Sequence, residues 1–146
     1  MGSSGFNTNE VPVDNAFLAN IYNAHYKIIN LSNFLIQELE AGHAGGISDV
    51  RKAEMLSEAK FQRAFANFNL LRYFGQFYDL NSQYGIVLRT QFATQLEAQP
   101  RNSVQEVYDL IVSDLEFGAE NGPVFIDHFY SGSPASKACW PKWNCI

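Results

Sequence analysis

The segment of residues 50–74 constrains the fold most strongly, because its apolar residues recur every three or four positions. This spacing places them on one face of an α-helix of about seven turns. Small alanines are interleaved with large aromatic rings on that face, so a neighbouring helix can approach closely while the rings fill the gaps. Ser48 is the predicted N-cap, Asp49 lies in the first turn, and Gly75 ends the helix. The periodic residues are Ala53, Leu56, Ala59, Ala64, Phe65, Phe68, Leu71 and Phe74.

Another long helix is predicted before this segment, over residues 15–41. Asp14 is its predicted N-cap, and Gly42, Gly45 and Gly46 supply the positive-φ positions that end a helix. Because the loop to the next helix is short, the two helices are expected to form an antiparallel hairpin. One apolar face consists of Phe17, Leu18, Ile21, Ala24, Ile28, Leu31, Leu35 and Leu39, and a second set, Tyr22, Tyr26, Ile29, Phe34 and Ile36, widens it.

Residues 76–102 break the helical pattern and form a long connection. Turn-forming residues come first and are followed by a short β-like stretch at residues 86–88. A connection of this length is uncommon inside a compact domain. It is predicted to be either an ordered excursion or a functional loop.

Two further helices are predicted after this connection. Ser103 and Glu106 form a capping box, and the helix that they begin ends at residues 122–123, a Gly-Pro pair. Ser133, followed by a proline, is the predicted N-cap of a fourth helix, which is expected to fail at residues 139–141. The fold class is therefore mainly α, with helices packed on helices as in α-solenoid repeats.

The charge balance restricts the kind of partner. The chain has 10 Lys and Arg against 15 Asp and Glu, a net charge of -5. A nucleic-acid-binding protein needs a basic face to neutralise phosphates, so this class is excluded. No run of about 18 apolar residues is present, and a membrane-spanning helix is not expected. Residues 1–13 are predicted to be disordered or extended, and no signal peptide is expected in them.

Acidic residues and histidines form only isolated pairs. Glu40 and His43 have the Glu-x-x-His spacing of di-iron bundles, but a single copy at a helix end favours a solvated helix end over a metal site. His25 is interpreted as a boundary histidine that hydrogen-bonds to a neighbour. Asp127 and His128 have no nucleophile motif beside them and are interpreted as polar loop surface.

The remaining chemical motifs also favour structural interpretations. The glycine-rich residues 42–46 follow a helix and lack the Lys-Ser/Thr of a phosphate-binding loop. Cys139 and Cys145 offer two zinc ligands without a third or fourth. The basic residues of the second helix are interspersed with Glu54 and Glu58, and the whole set is interpreted as a charged solvent face. These basic residues are Arg51, Lys52, Lys60, Arg63 and Arg72. No metal or cofactor is therefore expected.

Residues 57–75 read Ser-Glu-Ala-Lys-Phe-Gln-Arg-Ala-Phe-Ala-Asn-Phe-Asn-Leu-Leu-Arg-Tyr-Phe-Gly. This run closely resembles the signature helix of the SusD/RagB family. Other segments also resemble the family, in the same order along the chain. Residues 22–40 resemble the helix that precedes the signature helix, and residues 84–89 resemble the extended stretch that follows it. Residues 101–116 resemble the family's next helix, and residues 135–137 resemble the start of the helix after that. The matching signature residues are Glu58, Ala59, Lys60, Phe61, Arg63, Ala64, Phe68, Leu70, Arg72, Phe74 and Gly75.

The resemblance covers residues 14–138 and implies a partial SusD-like domain of tetratricopeptide-like antiparallel helical pairs, an α-α superhelix with a long irregular loop between the second and third helices. It also implies a non-catalytic, cofactor-free protein of the outer-membrane surface. The implied partners are an oligosaccharide or other nutrient and a SusC-like TonB-dependent porin. Family members are several times longer and begin with a lipoprotein signal that ends at an acylated cysteine, which this chain lacks. The signature residues Glu58, Arg63 and Phe74 are interpreted as structural.

The resemblance carries no ligand-binding residue over to this chain, because the family's carbohydrate contacts come largely from regions outside this segment. Aromatic rings can stack on the faces of sugars. The candidates for such contacts are the loop residues Tyr78, Tyr84 and Phe92. We prefer the interpretation that these rings pin the loop to the helices.

Residues 139–146 depart from the family pattern, which expects an apolar helix there. Reading the back-translated sequence from the third base of the Ala138 codon restores an apolar string at helical spacing. We therefore interpret residues 139–146 as a non-native tail produced by a frameshift.

Two other functions remain as alternatives. The first is a stand-alone tetratricopeptide-like adaptor that binds a protein or peptide in its helical groove. The second and weaker one is an enzyme, which only the isolated Glu40 and His43 pair supports.

Overall fold

The computed structural model describes residues 12, 14–95, 97–124 and 131–143, and within these residues the chain forms four helices and no strand. The helices are α1 (Ala16–Glu40), α2 (Asp49–Phe74), α3 (Val104–Asn121) and α4 (Ser133–Trp143). The mainly α class predicted from the apolar spacing is confirmed. None of these helices is long and apolar enough to cross a lipid bilayer. The predicted disordered N-terminus lies, except for residue 12, outside the described residues.

Helix α1 begins after Asn15, so the prediction that Asp14 is its N-cap is wrong. The Asn15 Oδ1 accepts hydrogen bonds from the backbone N–H groups of Phe17, at 3.0 Å, and Leu18, at 3.2 Å. Asn and Asp are equally good caps, so residue type alone could not choose between the two neighbours. At its other end the chain leaves the helix through Gly42, whose φ is 77°, as its predicted positive-φ role requires.

The predicted caps of α2 and α3 are both present. The Ser48 Oγ accepts a hydrogen bond from the Arg51 N–H at 3.3 Å. The Ser103 N–H donates to Glu106 Oε2 at 2.8 Å, and the Glu106 N–H donates to Ser103 Oγ at 3.3 Å. The hydrogen bond from the Ser103 backbone holds the pKa of the Glu106 carboxyl below its usual value. The capping box is therefore complete.

Helix α4 does not begin as predicted. Ser133 already lies inside the helix, and its hydroxyl donates to the Ala119 carbonyl oxygen of α3 at 2.7 Å. The carbonyl of Gly132 instead accepts the first hydrogen bonds, from the N–H groups of Ala135 at 3.0 Å and Ser136 at 3.2 Å. The prediction of Ser133 as N-cap is wrong because its hydroxyl finds a partner on the neighbouring helix.

The end of α4 also differs from the prediction. The helix was expected to fail at residues 139–141 but continues to Trp143. Pro141 lacks an N–H group, which removes one hydrogen bond near the helix end without stopping the helix there. The interpretation of residues 139–146 as a non-native tail stays a prediction, and residues 144–146 lie outside the described part of the chain.

The helices pack as successive antiparallel neighbours. The ring of Tyr22, near the start of α1, lies 5.3 Å from the ring of Phe74 at the end of α2. At the opposite end of this hairpin, Leu39 packs with Leu56 in a small apolar cluster. The main core lies where α1, α2, α3 and the loop between α2 and α3 meet. Its buried members are Tyr26, Ile29, Ala64, Ala66, Leu70, Leu71, Ile86, Val104, Val107, Tyr108, Ile111 and Leu115.

A buried ion pair joins α2 to α3 beside this core. Arg63 is only 6% exposed, so its interpretation as part of a charged solvent face is wrong. Its Nε and Nη2 donate to Oδ2 and Oδ1 of Asp114 at 2.8 and 2.7 Å. Its Nη1 donates to Oδ1 of Asn33 on α1 at 2.8 Å. A guanidinium can be buried in this way because a two-pronged carboxylate and an amide oxygen together satisfy its donors.

Candidate functional site

The described residues of the loop between α2 and α3, 75–95 and 97–103, form an ordered excursion that lies along α1. Four polar side chains of α1, three or four residues apart, bind the backbone of this loop. The Tyr26 hydroxyl donates to the Val87 carbonyl oxygen at 2.8 Å. The other contacts are two hydrogen bonds between Asn30 and Ala93, two from Asn33 to the carbonyls of Arg89 and Gln91, and one from the Phe92 N–H to Gln37.

This polar stripe was not predicted, because the faces of α1 were assigned from apolar spacing alone. The signal was nevertheless present, since Asn30, Asn33 and Gln37 recur at helical spacing. An amide side chain offers a donor and an acceptor, which suits it to an irregular backbone. A row of amides on a helix next to a long loop is therefore a pattern that can predict such docking.

The β-like stretch predicted at residues 86–88 forms no strand. The Gly85 N–H donates to the Asn102 carbonyl oxygen at 3.0 Å, and the Asn102 N–H donates to the Ile86 carbonyl oxygen at 2.8 Å. These two backbone hydrogen bonds do not continue into a β-ladder. The next N–H group, that of Leu88, donates to the Asn102 side-chain oxygen, at 3.0 Å, in place of a backbone carbonyl. The strand prediction is wrong for this reason.

The three candidate rings have different surroundings. Phe92 is 39% exposed, and its ring meets that of Phe34 on α1 edge-on at 5.2 Å between centroids. Tyr78 and Tyr84 are 68% and 64% exposed. The Tyr78 ring contacts that of Phe77 at 5.6 Å. The interpretation that these rings pin the loop to the helices therefore applies to Phe92. Tyr78 and Tyr84 instead present most of their surface to solvent.

The structure does not bring these rings into one site. The Tyr84 carbonyl accepts a hydrogen bond from the Gln76 N–H just after α2, at the end of the hairpin where Tyr22 meets Phe74. Phe92 lies beside Gln37, near the opposite end of α1. At the helical rise, Tyr22 and Gln37 are about 22 Å apart along α1.

A pocket of about 300 Å³ lies between the first half of α1 and loop residues 87–89 and 97–99. A depression of about 340 Å³ adjoins it on the α1 side and shares Asn23 and Tyr26 with it. We call the two together the α1 groove. Burial of the Tyr26 ring raises the pKa of its hydroxyl. The groove is lined mainly by Tyr22, Asn23, Arg89, Glu97 and Gln99 in the pocket, and by Asn20, Lys27 and Asn30 in the depression.

A second, apolar groove of about 360 Å³ lies between α1 and α2. Ile28, Leu31 and Leu35 of α1 form one wall, and Ala59 and Glu58 of α2 contribute to the other. Burial raises the pKa of the Glu58 carboxyl, an effect that the nearby Arg51 opposes. This acid lies opposite the apolar wall of α1, and Ser32, Gln62 and Ser131 complete the lining.

The predicted metal-binding and catalytic pairs do not assemble a site in the described part of the chain. The His43 Nδ1 lies 2.9 Å from Glu38 Oε2, so this histidine pairs with Glu38 rather than with Glu40. The His25 Nδ1 donates to the Ile21 carbonyl oxygen at 2.8 Å, as expected for a boundary histidine. No cluster of three or more metal-ligating side chains occurs among the described residues.

The other predicted pairs are only partly visible. Asp127 and His128, expected to be loop surface, lie outside the described residues, as does Cys145. Cys139 is half-buried and packs against the main core. The glycine-rich residues 42–46 form the turn that joins α1 to α2.

The chain matches the SusD-like family model, described as starch-binding and associating with the outer membrane, over residues 2–139. A SusD-like protein of Bacteroides ovatus is 24% identical over 104 residues, which are 71% of this chain and 18% of that protein. A SusD superfamily crystal structure from Bacteroides thetaiotaomicron has a TM-score of 0.78 at 27% identity, covering 85% of this chain and 28% of that one. A crystal structure with xylogluco-oligosaccharide has a TM-score of 0.79 at 23% identity, covering 95% of this chain and 26% of that one.

These similarities cover between 71% and 95% of this chain. The chain itself spans less than a third of the length of these relatives. The superposition with the B. thetaiotaomicron structure confirms the expected architecture of tetratricopeptide-like helical pairs. Because the family model extends over residues 2–139, the chain belongs to the SusD-like family.

Proposed function

We propose that this protein is a non-catalytic glycan-binding component of an outer-membrane nutrient-uptake system. The observation that carries the proposal is the match to a family described as starch-binding and associating with the outer membrane over residues 2–139. The structural similarity to a protein crystallised with xylogluco-oligosaccharide supports the same class of ligand. The ligand is therefore a plant-type or storage polysaccharide, or an oligosaccharide released from one.

The mechanism is capture without covalent chemistry. Aromatic rings stack on the apolar faces of sugars, while amides and charged groups hydrogen-bond to the hydroxyls. Both α1 and the loop carry exposed tyrosines and amide side chains. The acids whose pKa is clearly shifted, Glu58 and Glu106, respond to burial and to helix capping respectively, which are structural causes.

The proposed location is the cell surface, and the proposed partner is a SusC-like TonB-dependent porin to which the captured glycan passes. The family description supports association with the outer membrane. Co-purification of the full-length protein with the transporter from detergent-solubilised outer membranes tests this partner. Recovery of the full-length protein without any such transporter would contradict it.

Glycan binding is tested by electrophoresis of the purified chain in native gels that contain soluble starch or xyloglucan. We expect retardation by at least one of these polysaccharides, relative to a protein that binds neither. Equal mobility of the chain in all gels would contradict the proposal.

The exposed loop tyrosines are the proposed stacking residues nearest to the end of the hairpin. Their exposure of 68% and 64% leaves both rings accessible to a sugar. We expect the Tyr78→Ala, Tyr84→Ala double variant to show weaker retardation than the unchanged chain in the gel that retains the unchanged chain. Phe92→Ala, which removes a ring that packs on Phe34, should instead loosen the loop. Unchanged retardation of the double variant would remove the two tyrosines from the proposal.

A further inference from the structure

We propose that the α1 groove is an oligosaccharide-binding site, formed by the first half of α1 and loop residues 87–89 and 97–99. This inference rests on the proposed glycan-binding function and adds a location to it. It is independent of the loop tyrosines, because none of the residues that line the groove is Tyr78 or Tyr84.

The groove contains an aromatic ring that is both exposed and held in place. Tyr22 is 37% exposed, its ring lies 4.7 Å from that of Tyr26, and it meets Phe74 edge-on at 5.3 Å. A ring that is fixed by its neighbours loses little side-chain entropy when a ligand packs on it. Tyr22 therefore offers a preformed surface for stacking against a sugar ring.

The amides of α1 divide into two groups according to their partners. Asn30 and Asn33 hydrogen-bond to the loop backbone, so their role is structural. Asn20 and Asn23 are exposed, and their side chains make no hydrogen bond to any described residue. On the opposite wall Gln99 is likewise exposed. The amides that line the groove but do not bind the loop are thus available to sugar hydroxyls.

The loop wall of the groove is held to α1 by two hydrogen bonds and is also bonded to itself. The Tyr26 hydroxyl holds the Val87 carbonyl at 2.8 Å, and Asn33 holds the Arg89 carbonyl at 3.0 Å. The Nη2 of Arg89 donates to the Glu97 carbonyl oxygen at 2.6 Å, which joins two parts of the loop. A wall that is ordered before binding reduces the entropic cost of capturing a ligand.

The shape of the groove favours an elongated ligand. Its pocket and depression, of about 300 and 340 Å³, adjoin at Asn23 and Tyr26. Their lining residues extend from Asn20 to Asn30, which is about 15 Å along the helix. An oligosaccharide would lie along α1 and contact both parts, whereas a single sugar would fill only the pocket. The mixed charges of Lys27, Arg89 and Glu97 suit a neutral glycan rather than a strongly charged one.

The inference is tested with the whole chain by isothermal titration calorimetry, using maltoheptaose and a xyloglucan heptasaccharide as probes. An Asn23→Ala, Gln99→Ala double variant removes two exposed amides from the groove. We expect it to weaken binding by about tenfold, the loss of one or two neutral hydrogen bonds. Asn121→Ala is the matched control, because its amide bonds only to the Phe117 carbonyl of its own helix.

A filling variant provides a second, independent measurement. Ala98 lines the pocket and is exposed, so Ala98→Trp should block the pocket and abolish binding without disturbing the core. Ala138→Trp, at an exposed position on α4, is its control and should bind as the unchanged chain does. Circular dichroism verifies that all variants keep the helical fold.

The outcomes separate the groove from the function on which it rests. Loss of affinity in both groove variants, with full affinity in both controls, supports the groove. Unchanged affinity in the groove variants overturns it and leaves glycan binding intact. Failure of the unchanged chain to bind either probe, together with no retardation in the polysaccharide gels, overturns both proposals.

Discussion

Arg63 of α2 and Asp114 of α3 form a two-pronged ion pair inside the protein, with N···O distances of 2.8 and 2.7 Å. The same guanidinium donates to the side-chain oxygen of Asn33, whose Nδ2 donates to the carbonyls of Arg89 and Gln91. One hydrogen-bonded chain therefore runs from α3 through α2 and α1 to the loop. Because its members share partners, each holds the others in position.

Removing one partner of this ion pair should be strongly destabilising. Asp114→Ala leaves the Arg63 charge buried without its carboxylate, which costs about 3–5 kcal/mol. Asp109→Ala, on an exposed part of the same helix, should cost less than about 1 kcal/mol. Urea unfolding followed by circular dichroism measures both. Equal losses in the two variants would contradict a special role for the buried pair.

Replacing both partners by apolar residues should recover much of this loss. The Arg63→Met, Asp114→Leu double variant removes both charges, and such replacements are often neutral or stabilising. We expect its free energy of unfolding to exceed that of Asp114→Ala. The loop should nevertheless exchange its amide hydrogens faster, because Asn33 loses the donor that orients it. Slower or unchanged exchange would contradict the proposed connection between core and loop.

The sequence predicted the parts of the fold that depend on local signals. Apolar spacing and caps predict α1, α2 and α3, since the capping box of Ser103 and Glu106 acts over one helical turn. Apolar spacing could not predict the burial of Arg63, because a buried charge depends on Asp114, fifty-one residues away. The order of the loop likewise depends on contacts such as Asn30 with Ala93, sixty-three residues apart. The α1 groove lies between these two segments and was missed for the same reason.

The two hydrogen bonds between Asn30 and Ala93 should control the opening of the loop. Asn30→Ala removes an acceptor for the Ala93 N–H and a donor to its carbonyl, at 3.0 and 2.9 Å. We expect the free energy of local opening at Ala93 to fall by about 1–2 kcal/mol. Amide hydrogen exchange measures this opening residue by residue. Asn20→Ala, on the same helix but away from the loop contacts, should leave the Ala93 amide protected.

Glu58 should destabilise the folded protein at neutral pH. Burial against the apolar groove raises its pKa above the usual 4.5, Arg51 opposes this shift, and Glu54 adds to it. The folded state therefore binds a proton more tightly than the unfolded state, and stability rises as the pH falls through the raised pKa. We expect Glu58→Gln to be more stable than the unchanged chain at pH 7, with the difference vanishing below about pH 4. Urea unfolding across this pH range tests the sign.

Glu106 should behave in the opposite way. The Ser103 N–H favours its charged form, and the pKa is lowered. The resulting stabilisation is present above the usual pKa and is lost as the pH falls through the lowered value. Glu106→Gln should therefore be less stable than the unchanged chain at pH 7 and should converge with it in acid. The same pH series measures both glutamates, and a shared sign would contradict one of the two assignments.

Gly118 of α3 lies directly against Ser136 of α4. A Cβ atom at this position would collide with the Ser136 Oγ and would lie 3.2 Å from the Ser136 Cβ. Ser136 is fully buried, and its hydroxyl has no hydrogen-bond partner among the described residues. An added methyl group can therefore be accommodated only if the buried Ser136 side chain or α4 itself shifts.

This geometry decides the sign of a substitution that would normally be favourable. Gly→Ala inside a helix gains about 1 kcal/mol from propensity, whereas overpacking a filled site costs about 1–3 kcal/mol. Gly118→Ala should thus lower the free energy of unfolding. Adding Ser136→Ala removes the colliding oxygen, so the double variant should recover the propensity gain and be at least as stable as the unchanged chain. A double-mutant cycle in urea measures the coupling, and a stabilising Gly118→Ala on its own would mean that α4 can shift away from α3.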